Sequence, residues 1–193
     1  MIMKKPFKPD KLPMKNLDWV RFIPLIGTAN AELARYDGIL QGVINPQVLL
    51  SPLTTKEAVL SSRIEGTIAS LEEVLRFEAE PNKKTITNEK YNDIHEIFNY
   101  RRTMHHAVDY LKKKPITIGM IKEMHSILLD SVRGKDRGRG MIRTGQNFIG
   151  KPGAKIEEAI YIPPESHLLG EYLDNLEKYI HFDEKDRLVQ LAI

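Results

Sequence analysis

Apolar residues recur every three or four positions along most of this chain, which is the spacing of amphipathic α-helices. The spacing predicts a series of helices joined by short segments that contain glycine, proline or polar residues. The stretches that carry it are residues 19–40, 54–66, 71–77, 88–113, 118–132, 165–180 and 187–193. The sequence therefore predicts an all-α, mainly helical fold.

Local signals mark where two of these helices begin and where one of them ends. Thr54 with Glu57, and Ser70 with Glu73, both have the Ser/Thr-x-x-Glu pattern of a capping box, in which each side chain binds the other residue's backbone amide. Gly66 suits the left-handed conformation that commonly ends a helix. We expect one helix over 54–66 and a second helix that starts after Ser70.

The composition changes between residues 133 and 155, a segment rich in glycine and in basic side chains. It holds six of the twelve glycines and seven basic residues, against the single acid Asp136. Two short apolar segments, 147–149 and 159–162, are separated by glycine and proline, and this pattern favours a small β-hairpin. We expect a flap over about 140–164 as the one β element of the fold.

Composition and charge exclude several classes of protein and of site. The chain has 193 residues and no cysteine, which excludes a disulfide scaffold, a thiolate metal site and a cysteine nucleophile. None of its six histidines has a metal-binding spacing, so no metal site is expected. No run of about 18 apolar residues and no signal peptide occurs, which favours a cytoplasmic protein with no membrane partner. The net charge of +3 gives little attraction to nucleic acid.

Residues 61–66, Ser-Ser-Arg-Ile-Glu-Gly, form the sharpest local motif. Ser61 and Glu65 are four residues apart and therefore share one face of a helix. A hydroxyl and a carboxylate one turn apart can bind a guanidinium group, to which the helix end adds carbonyl acceptors. The alternative is an ordinary solvent-exposed last turn closed by Gly66. A helix C-terminus normally favours cations, so an acid at Glu65 is unusual there.

This motif resembles the inhibitory helix of the Fic family, in which Ser or Thr is followed by three residues, Glu, and then Gly or Asn. The resemblance covers nearly the whole chain, and its motifs come in the family's order. They are the proline-rich basic start, Asp18-Trp19, Leu50-Ser51-Pro52-Leu53, residues 140–150 and Tyr161-Ile162-Pro163-Pro164. The resemblance implies an N-terminal helical region over 1–84 that carries the inhibitory helix 54–66. It also implies an incomplete Fic core over 85–193, with the flap inside it.

The resemblance implies protein AMPylation, the transfer of AMP from ATP to a hydroxyl of a target protein. ATP and Mg are implied as cofactors of the complete family protein, and none is assigned to this chain. The family's catalytic signature, His-x-Phe-x-Asp/Glu-Gly-Asn-Gly-Arg-x-x-Arg, does not occur in these 193 residues. The nearest segment, 181–187, has Phe directly after His and lacks the Gly-Asn-Gly turn. We therefore assign no catalytic residue, and expect the chain to stop just before the signature and to be inactive alone.

The resemblance assigns roles to two groups of residues. Glu65 would pair with the second arginine of the signature, which the γ-phosphate of ATP also needs, so the enzyme would be autoinhibited. Ser61 would hold this pair in place, and Gly66 would let the chain turn away. Asn147, Phe148 and Ile149 would form the flap strand that aligns the backbone of the target.

Two other functions stay open at this point. One is a non-catalytic, antitoxin-like regulatory module that supplies Glu65 to a separate Fic protein. The other is a basic, nucleic-acid-binding helical domain, although the basic segment has only Phe148 as an aromatic and no recognised binding module accompanies it. The expected partner is a target protein with an acceptor hydroxyl, and self-association into a homo-oligomer is left open.

Overall fold

A computed structural model describes residues 5–80, 87–130, 132, 136 and 138–193. In this part of the chain the regular structure consists of α-helices and two short 3₁₀ turns, with no strand. The α-helices are α1 (Trp19–Gln41), α2 (Pro46–Ile64), α3 (Leu71–Ala79), α4 (Asn88–Leu111), α5 (Ile118–Leu128), α6 (Leu169–Ile180) and α7 (Arg187–Ala192). The expected all-α class is confirmed.

The chain divides into two compact units. Met1–Ala31, Ile116–Ile118 and Ile142–Ile193 form the first unit, and Glu32–Pro115 and Gly119–Met141 form the second. The motif at 61–66 therefore belongs to the second unit, and the predicted flap residues 147–149 belong to the first. The subdomain boundary predicted at the loop 81–84 lies outside the described residues.

The core of the second unit lies between α2, α3 and α4. Helix α2 packs chiefly on α4. It does so with one face, because its buried side chains recur every three or four residues, at Thr55, Ala58, Val59 and Ser62. On α4, Ile94 and Ile97 are fully buried against this face. Burying such a side chain stabilises the fold by roughly 1.5–3 kcal/mol. The rotation of α2 about its axis is therefore fixed, and its opposite face is left to solvent.

The start of α2 differs from the prediction. The helix begins at Pro46, and proline is favoured in a first turn because its missing N–H would have no intrahelical partner there. Thr54 lies inside the helix, where its Oγ1 donates to the carbonyl of Leu50 at 3.1 Å. The capping box predicted at Thr54 is therefore wrong, because threonine can also bond to the preceding turn of its own helix. The predicted helix over 54–66 is the C-terminal part of α2 together with its final turn.

The capping box predicted at the start of α3 is confirmed. Ser70 Oγ accepts a hydrogen bond from the Glu73 amide at 3.2 Å, and Glu73 Oε2 accepts one from the Ser70 amide at 2.8 Å. Glu73 also forms an ion pair with Lys90 of α4. The hydrogen bond from Lys90, and then the bond from the Ser70 backbone, hold the pKa of Glu73 below its usual value. The start of α3 is thus both capped and tied to α4.

In the first unit, the described part of the N-terminal arm is held by paired polar contacts. The Leu12 amide donates to Asn175 Oδ1 of α6, and Asn175 Nδ2 donates back to the Leu12 carbonyl, both at 2.9 Å. Nearer the start of the arm, the Phe7 amide donates to the carbonyl of Ile162 at 2.8 Å. These bonds tie the arm to α6 and to the segment that precedes it.

The β-hairpin predicted for the flap is wrong for the described residues. Its two segments meet in a single antiparallel bridge, between Ile149 and Tyr161. A longer ladder would need amide donors after Ile162, but Pro163 and Pro164 have none. The two apolar segments therefore come together at one residue pair without forming strands.

Side chains take over the hydrogen bonding that a longer ladder would have provided. Gln146 Nε2 donates to the Pro163 carbonyl at 3.1 Å, and Arg143 donates to the Pro164 carbonyl. Both contacts connect the residues just before 147–149 with the residues just after 159–162. The flap segment is therefore held closed by side-chain bonds on one side of the bridge.

Helix α1 has the predicted helical spacing but no buried residue. Trp19 is half-buried, and the ammonium of Lys185 lies 5.2 Å from the centre of its ring. Tyr36 is 49% exposed. Periodicity identifies an apolar face, but it carries no information on what covers that face.

In the described residues, no helix combines the length and the apolar character needed to cross a bilayer.

Candidate regulatory site at the end of α2

The structure brings the predicted motif residues together at the C-terminal end of α2. Ser61 lies in the last two turns, Glu65 is the residue that closes the helix, and Gly66 follows it. Ser62, between them, is on the buried face that packs toward α4. Because Ser62 points inward, Ser61 and Glu65 lie on the more exposed side, with Ser61 half-buried and Glu65 exposed.

The turn after the motif has the hydrogen bonds of a Schellman cap. The Thr67 amide donates to the Ser62 carbonyl at 3.2 Å, and the Gly66 amide donates to the Arg63 carbonyl at 3.0 Å. Gly66 has a φ of +101°, a conformation that side-chain-bearing residues rarely adopt. The prediction that Gly66 ends this helix in a left-handed turn is confirmed.

The Glu65 carboxylate has no hydrogen bond or ion pair with any residue that the structure describes, and it is exposed. It stands where the free carbonyl groups of the helix end concentrate negative potential. An acid in this position is unfavourable by itself and becomes favourable when a cation binds. The local electrostatics therefore suit a positively charged partner group.

Ser61 makes a contact that the sequence pattern did not predict. Its hydroxyl donates to Glu57 Oε1 at 2.6 Å, one turn before it on the same helix. Glu57 is also exposed. With its hydrogen committed to Glu57, the Ser61 oxygen keeps its lone pairs as acceptors. Glu57, Ser61 and Glu65 thus form a row of acceptors at four-residue spacing.

The chain that leaves the motif is tied to α4 by a buried carboxylate. Asp93 is 1% exposed, and its Oδ2 accepts a hydrogen bond from the Ile68 amide at 2.7 Å. Sequence reasoning missed Asp93, although a signal was present. The residue directly precedes Ile94 on the apolar stripe of α4, and an acid next to a buried stripe has to find a donor.

The predicted flap residues lie in the first unit. Ile149 makes the bridge to Tyr161, while Asn147 is exposed and its carbonyl accepts from the Gln146 side chain at 3.0 Å. In antiparallel pairing the residue before a bridged residue directs its backbone groups to the other edge. Among the described residues, the backbone N–H and C=O of Phe148 have no hydrogen-bond partner. This edge of the flap segment is therefore open.

An open cavity of about 440 Å³ lies beside the flap segment within the first unit. Gln146, Ile162 and Ser166 are among the residues that line it. A cavity of this volume is large enough to take a side chain of a bound peptide.

The described arginines of the basic segment are already engaged by protein groups. Arg139 donates to the Ser126 carbonyl at 2.5 Å and to Asp130 at 2.8 Å, and Arg102 also donates to Asp130 at 2.8 Å. These guanidinium groups, Arg102 first, hold the pKa of Asp130 below its usual value. The basic residues 133, 135 and 137 lie outside the described residues.

Two observations bear on whether this chain's own described residues could hold magnesium or ATP. They contain no group of three or more His, Cys, Asp or Glu side chains arranged to hold a metal ion. The sequence also has no Gly-Asn-Gly turn to hold phosphates. No chemical step is therefore assigned to a nucleotide bound by these residues.

Comparison with known families gives a match over part of the chain. Residues 23–109 match the model of the Fic/DOC family N-terminal region. The matched stretch includes α2 with the motif at 61–66, α3 and nearly all of α4. No curated protein matches the chain. The resemblance to the Fic family is therefore confirmed for residues 23–109, which carry the Fic/DOC family N-terminal region.

Proposed function

We propose that this chain presents the inhibitory carboxylate of a Fic-type protein adenylyltransferase. Such an enzyme transfers AMP from ATP to a hydroxyl of a target protein. The observation that carries the proposal is the position of Glu65, exposed and without a described partner at the end of a helix inside the Fic N-terminal region. The packing of α2 on α4 supports it, because the carboxylate is held at a fixed place on the surface of its unit.

The proposed action of Glu65 is to occupy the second arginine of the catalytic signature. A planar guanidinium pairs well with a carboxylate through two parallel hydrogen bonds, and the carbonyl groups of the helix end add to the attraction. Ser61 offers a further acceptor one turn away. An arginine engaged in this way is no longer free to bind the γ-phosphate of ATP, so the nucleotide is excluded or bound with its α-phosphate poorly aligned for attack.

The flap residues have a proposed role in binding the target. An extended segment of the target protein would add to the open edge at Phe148 through backbone hydrogen bonds, the usual mode of strand addition. The cavity beside Gln146 and Ile162 would receive one of its side chains. In this arrangement Asn147, Phe148 and Ile149 fix the register that brings the acceptor hydroxyl to the reaction centre.

A second candidate function differs in where the arginine comes from. These 193 residues contain no His-to-Arg signature. Glu65 would then act either within an adenylyltransferase polypeptide or, as an antitoxin-like module, on a separate Fic protein. The two cases differ in their dependence on concentration, because pairing within one polypeptide does not change on dilution whereas pairing between two molecules does.

The test is a labelling assay with ATP that carries its label on the α-phosphate. A fusion continues this chain with a catalytic segment that bears the Fic signature. We expect weak self-labelling of the fusion, and an increase of about tenfold or more when Glu65→Gly or Glu65→Gln removes the charge-assisted pair. The matched control is Glu72→Gln, an exposed acid of the same unit that pairs with Arg76. Labelling that is unchanged by both Glu65 variants would refute the inhibitory role.

The same assay separates the two sources of the arginine. The unfused 193-residue chain is added in increasing amounts to a separate Fic enzyme that has no inhibitory motif of its own. Dose-dependent inhibition that Glu65→Gly abolishes supports the separate module. If Glu65→Gly raises labelling of the fusion and the added chain does not inhibit the separate enzyme, the result supports autoinhibition within one polypeptide.

A further inference from the structure

A buried acid on α4 holds the turn that follows Glu65. Asp93 is 1% exposed, and its Oδ2 accepts the Ile68 amide at 2.7 Å across a sequence separation of 25 residues. A carboxylate taken out of water is unfavourable unless donors satisfy it. The bond to Ile68 therefore fixes both partners, and it joins the chain leaving α2 to the neighbouring helix.

Packing holds the turn after Glu65 at Thr67, which is 2% exposed, and at Ala69, which is fully buried, but not at Gly66 or Ile68. Gly66 has no side chain, and no atom lies within 4 Å of the place where a Cβ would stand. Ile68 is 59% exposed and contributes little burial. The Schellman bonds at Gly66 and Thr67 connect the turn only to α2 itself. The Asp93–Ile68 bond connects it to α4.

We propose that Asp93 is a positioning residue for the Glu65 carboxylate. By holding the Ile68 amide it keeps the last turn of α2 closed and the Glu65 side chain directed at its arginine. Without this bond the Schellman turn opens more often, and Glu65 samples directions in which it cannot pair with the guanidinium. The expected effect on inhibition rests on the proposed function. Whether Asp93 holds the turn can be measured in this chain alone.

The first test measures amide hydrogen exchange by NMR in the 193-residue chain. Asp93→Leu keeps a similar shape and removes the acceptor, while Asp93→Asn keeps one acceptor oxygen. The control is Asn99→Leu, which removes another buried polar group of α4 whose Nδ2 donates to the carbonyls of Leu128 and Asp130. Denaturant is adjusted so that all variants have the same global stability.

We expect Asp93→Leu to speed exchange at the amides of Gly66, Thr67 and Ile68 by about tenfold relative to Asn99→Leu, with Asp93→Asn close to the unmodified chain. Equal exchange in Asp93→Leu and Asn99→Leu at these three amides would overturn the proposal. If Asp93→Leu does not fold, Ile68→Pro removes the donor instead and leaves Asp93 in place. It should speed exchange at Gly66 and Thr67, and exchange that stays at the unmodified rate would again overturn the proposal.

The second test uses the labelling fusion. Asp93→Leu and Ile68→Pro should raise self-labelling severalfold, whereas Asp93→Asn and Asn99→Leu should leave it nearly unchanged. If Glu65→Gly itself has no effect, the proposed function fails, and the exchange experiment still decides whether Asp93 holds the turn. If Glu65→Gly releases labelling but Asp93→Leu and Ile68→Pro do not, the positioning role is wrong.

Discussion

The hydroxyl of Ser61 donates to Glu57 Oε1 at 2.6 Å, so the serine is oriented by the acid one turn before it. This bond decides which kind of group Ser61 offers to a partner. Its hydrogen is engaged, and only its lone pairs remain, so it can accept but has no second hydrogen to donate. Together with the carboxylates of Glu57 and Glu65, it forms a surface suited to a guanidinium and unsuited to an anion.

Replacement of Glu57 by alanine should weaken the proposed inhibition without abolishing it. The change removes a negative charge near the arginine and leaves the Ser61 hydroxyl free to turn toward Glu65, and both effects weaken the arginine pair. An exposed contact of this kind contributes less than about 1 kcal/mol, so self-labelling of the fusion should rise by up to about fivefold. The control is Glu72→Ala, and labelling equal to that of the unmodified fusion would show that Glu57 has no part.

Replacement of Gly66 by alanine should lower the free energy of unfolding by about 1 kcal/mol, because alanine is strained at a φ of +101° although space is available. The matched control is Gly38→Ala inside α1, where no atom lies within 4 Å of the added Cβ. There alanine should raise stability by about 0.5–1 kcal/mol, since it favours helix over glycine. Urea unfolding of the three proteins measures both effects. Changes in the free energy of unfolding that are equal and of the same sign in Gly66→Ala and Gly38→Ala would contradict the left-handed turn assigned to Gly66.

The stabilising effect of Glu73 should depend on pH. Its pKa is lowered in the folded chain, first by Lys90 and then by the Ser70 amide, so its charged form favours folding. This contribution is present above the unfolded pKa, near 4.5, and is lost as the pH falls through the lower folded pKa. Glu73→Gln keeps the capping-box acceptor and removes the charge. It should therefore destabilise the chain at pH 7 and have little effect well below pH 4.5.

The partner of Glu73 supplies the control for this experiment. In a Lys90→Met background the main cause of the lowered pKa is removed, so Glu73→Gln should have a smaller effect at pH 7. Urea unfolding at a series of pH values gives the free energies of unfolding of the unmodified chain, the two single variants and the double variant. An effect of Glu73→Gln that is the same at every pH would contradict the assignment.

Replacement of Asn175 by alanine should release the N-terminal arm. The side chain makes two hydrogen bonds of 2.9 Å with the Leu12 backbone, and alanine can make neither. Limited trypsin digestion should then cut faster after Lys11 and Lys15, as followed by mass spectrometry. Asp174→Ala is the control, because Asp174 pairs with Lys178 on the same helix. Unchanged cleavage in Asn175→Ala would show that other contacts hold the arm.

Local rules predicted the features of this fold that depend on neighbouring residues. The capping box of Ser70 and Glu73 and the left-handed turn at Gly66 were found where the pattern placed them. The same rule failed at Thr54, because the pattern does not say whether a helix has already begun. The helix begins eight residues earlier, at Pro46.

Features that depend on contacts between residues far apart in the chain could not be predicted from the sequence. The flap pattern of 147–149 and 159–162 indicated strands, but Pro163 and Pro164 and the side chains that bond to their carbonyls limit the pairing to one bridge. The place of Asp93 beside the apolar stripe of α4 was a signal of a buried acid, but its partner Ile68, 25 residues away, could not be inferred. In the candidate site, the motif was found from the sequence, but its second acid, Glu57, and its tie to α4 were not.

The packing of α2 on α4 also constrains how this helix can change in length. Successive residues of an α-helix are rotated by about 100° around its axis, so adding or deleting one residue between Ser62 and Glu65 would turn the carboxylate to a different side. The inward row of Thr55, Ala58 and Ser62 would stay where it is, held by α4. Changes of three or four residues come close to a full turn and largely preserve the direction. Substitutions are therefore tolerated on the exposed face of this helix, while single insertions and deletions would turn Glu65 away from the arginine of the proposed pair.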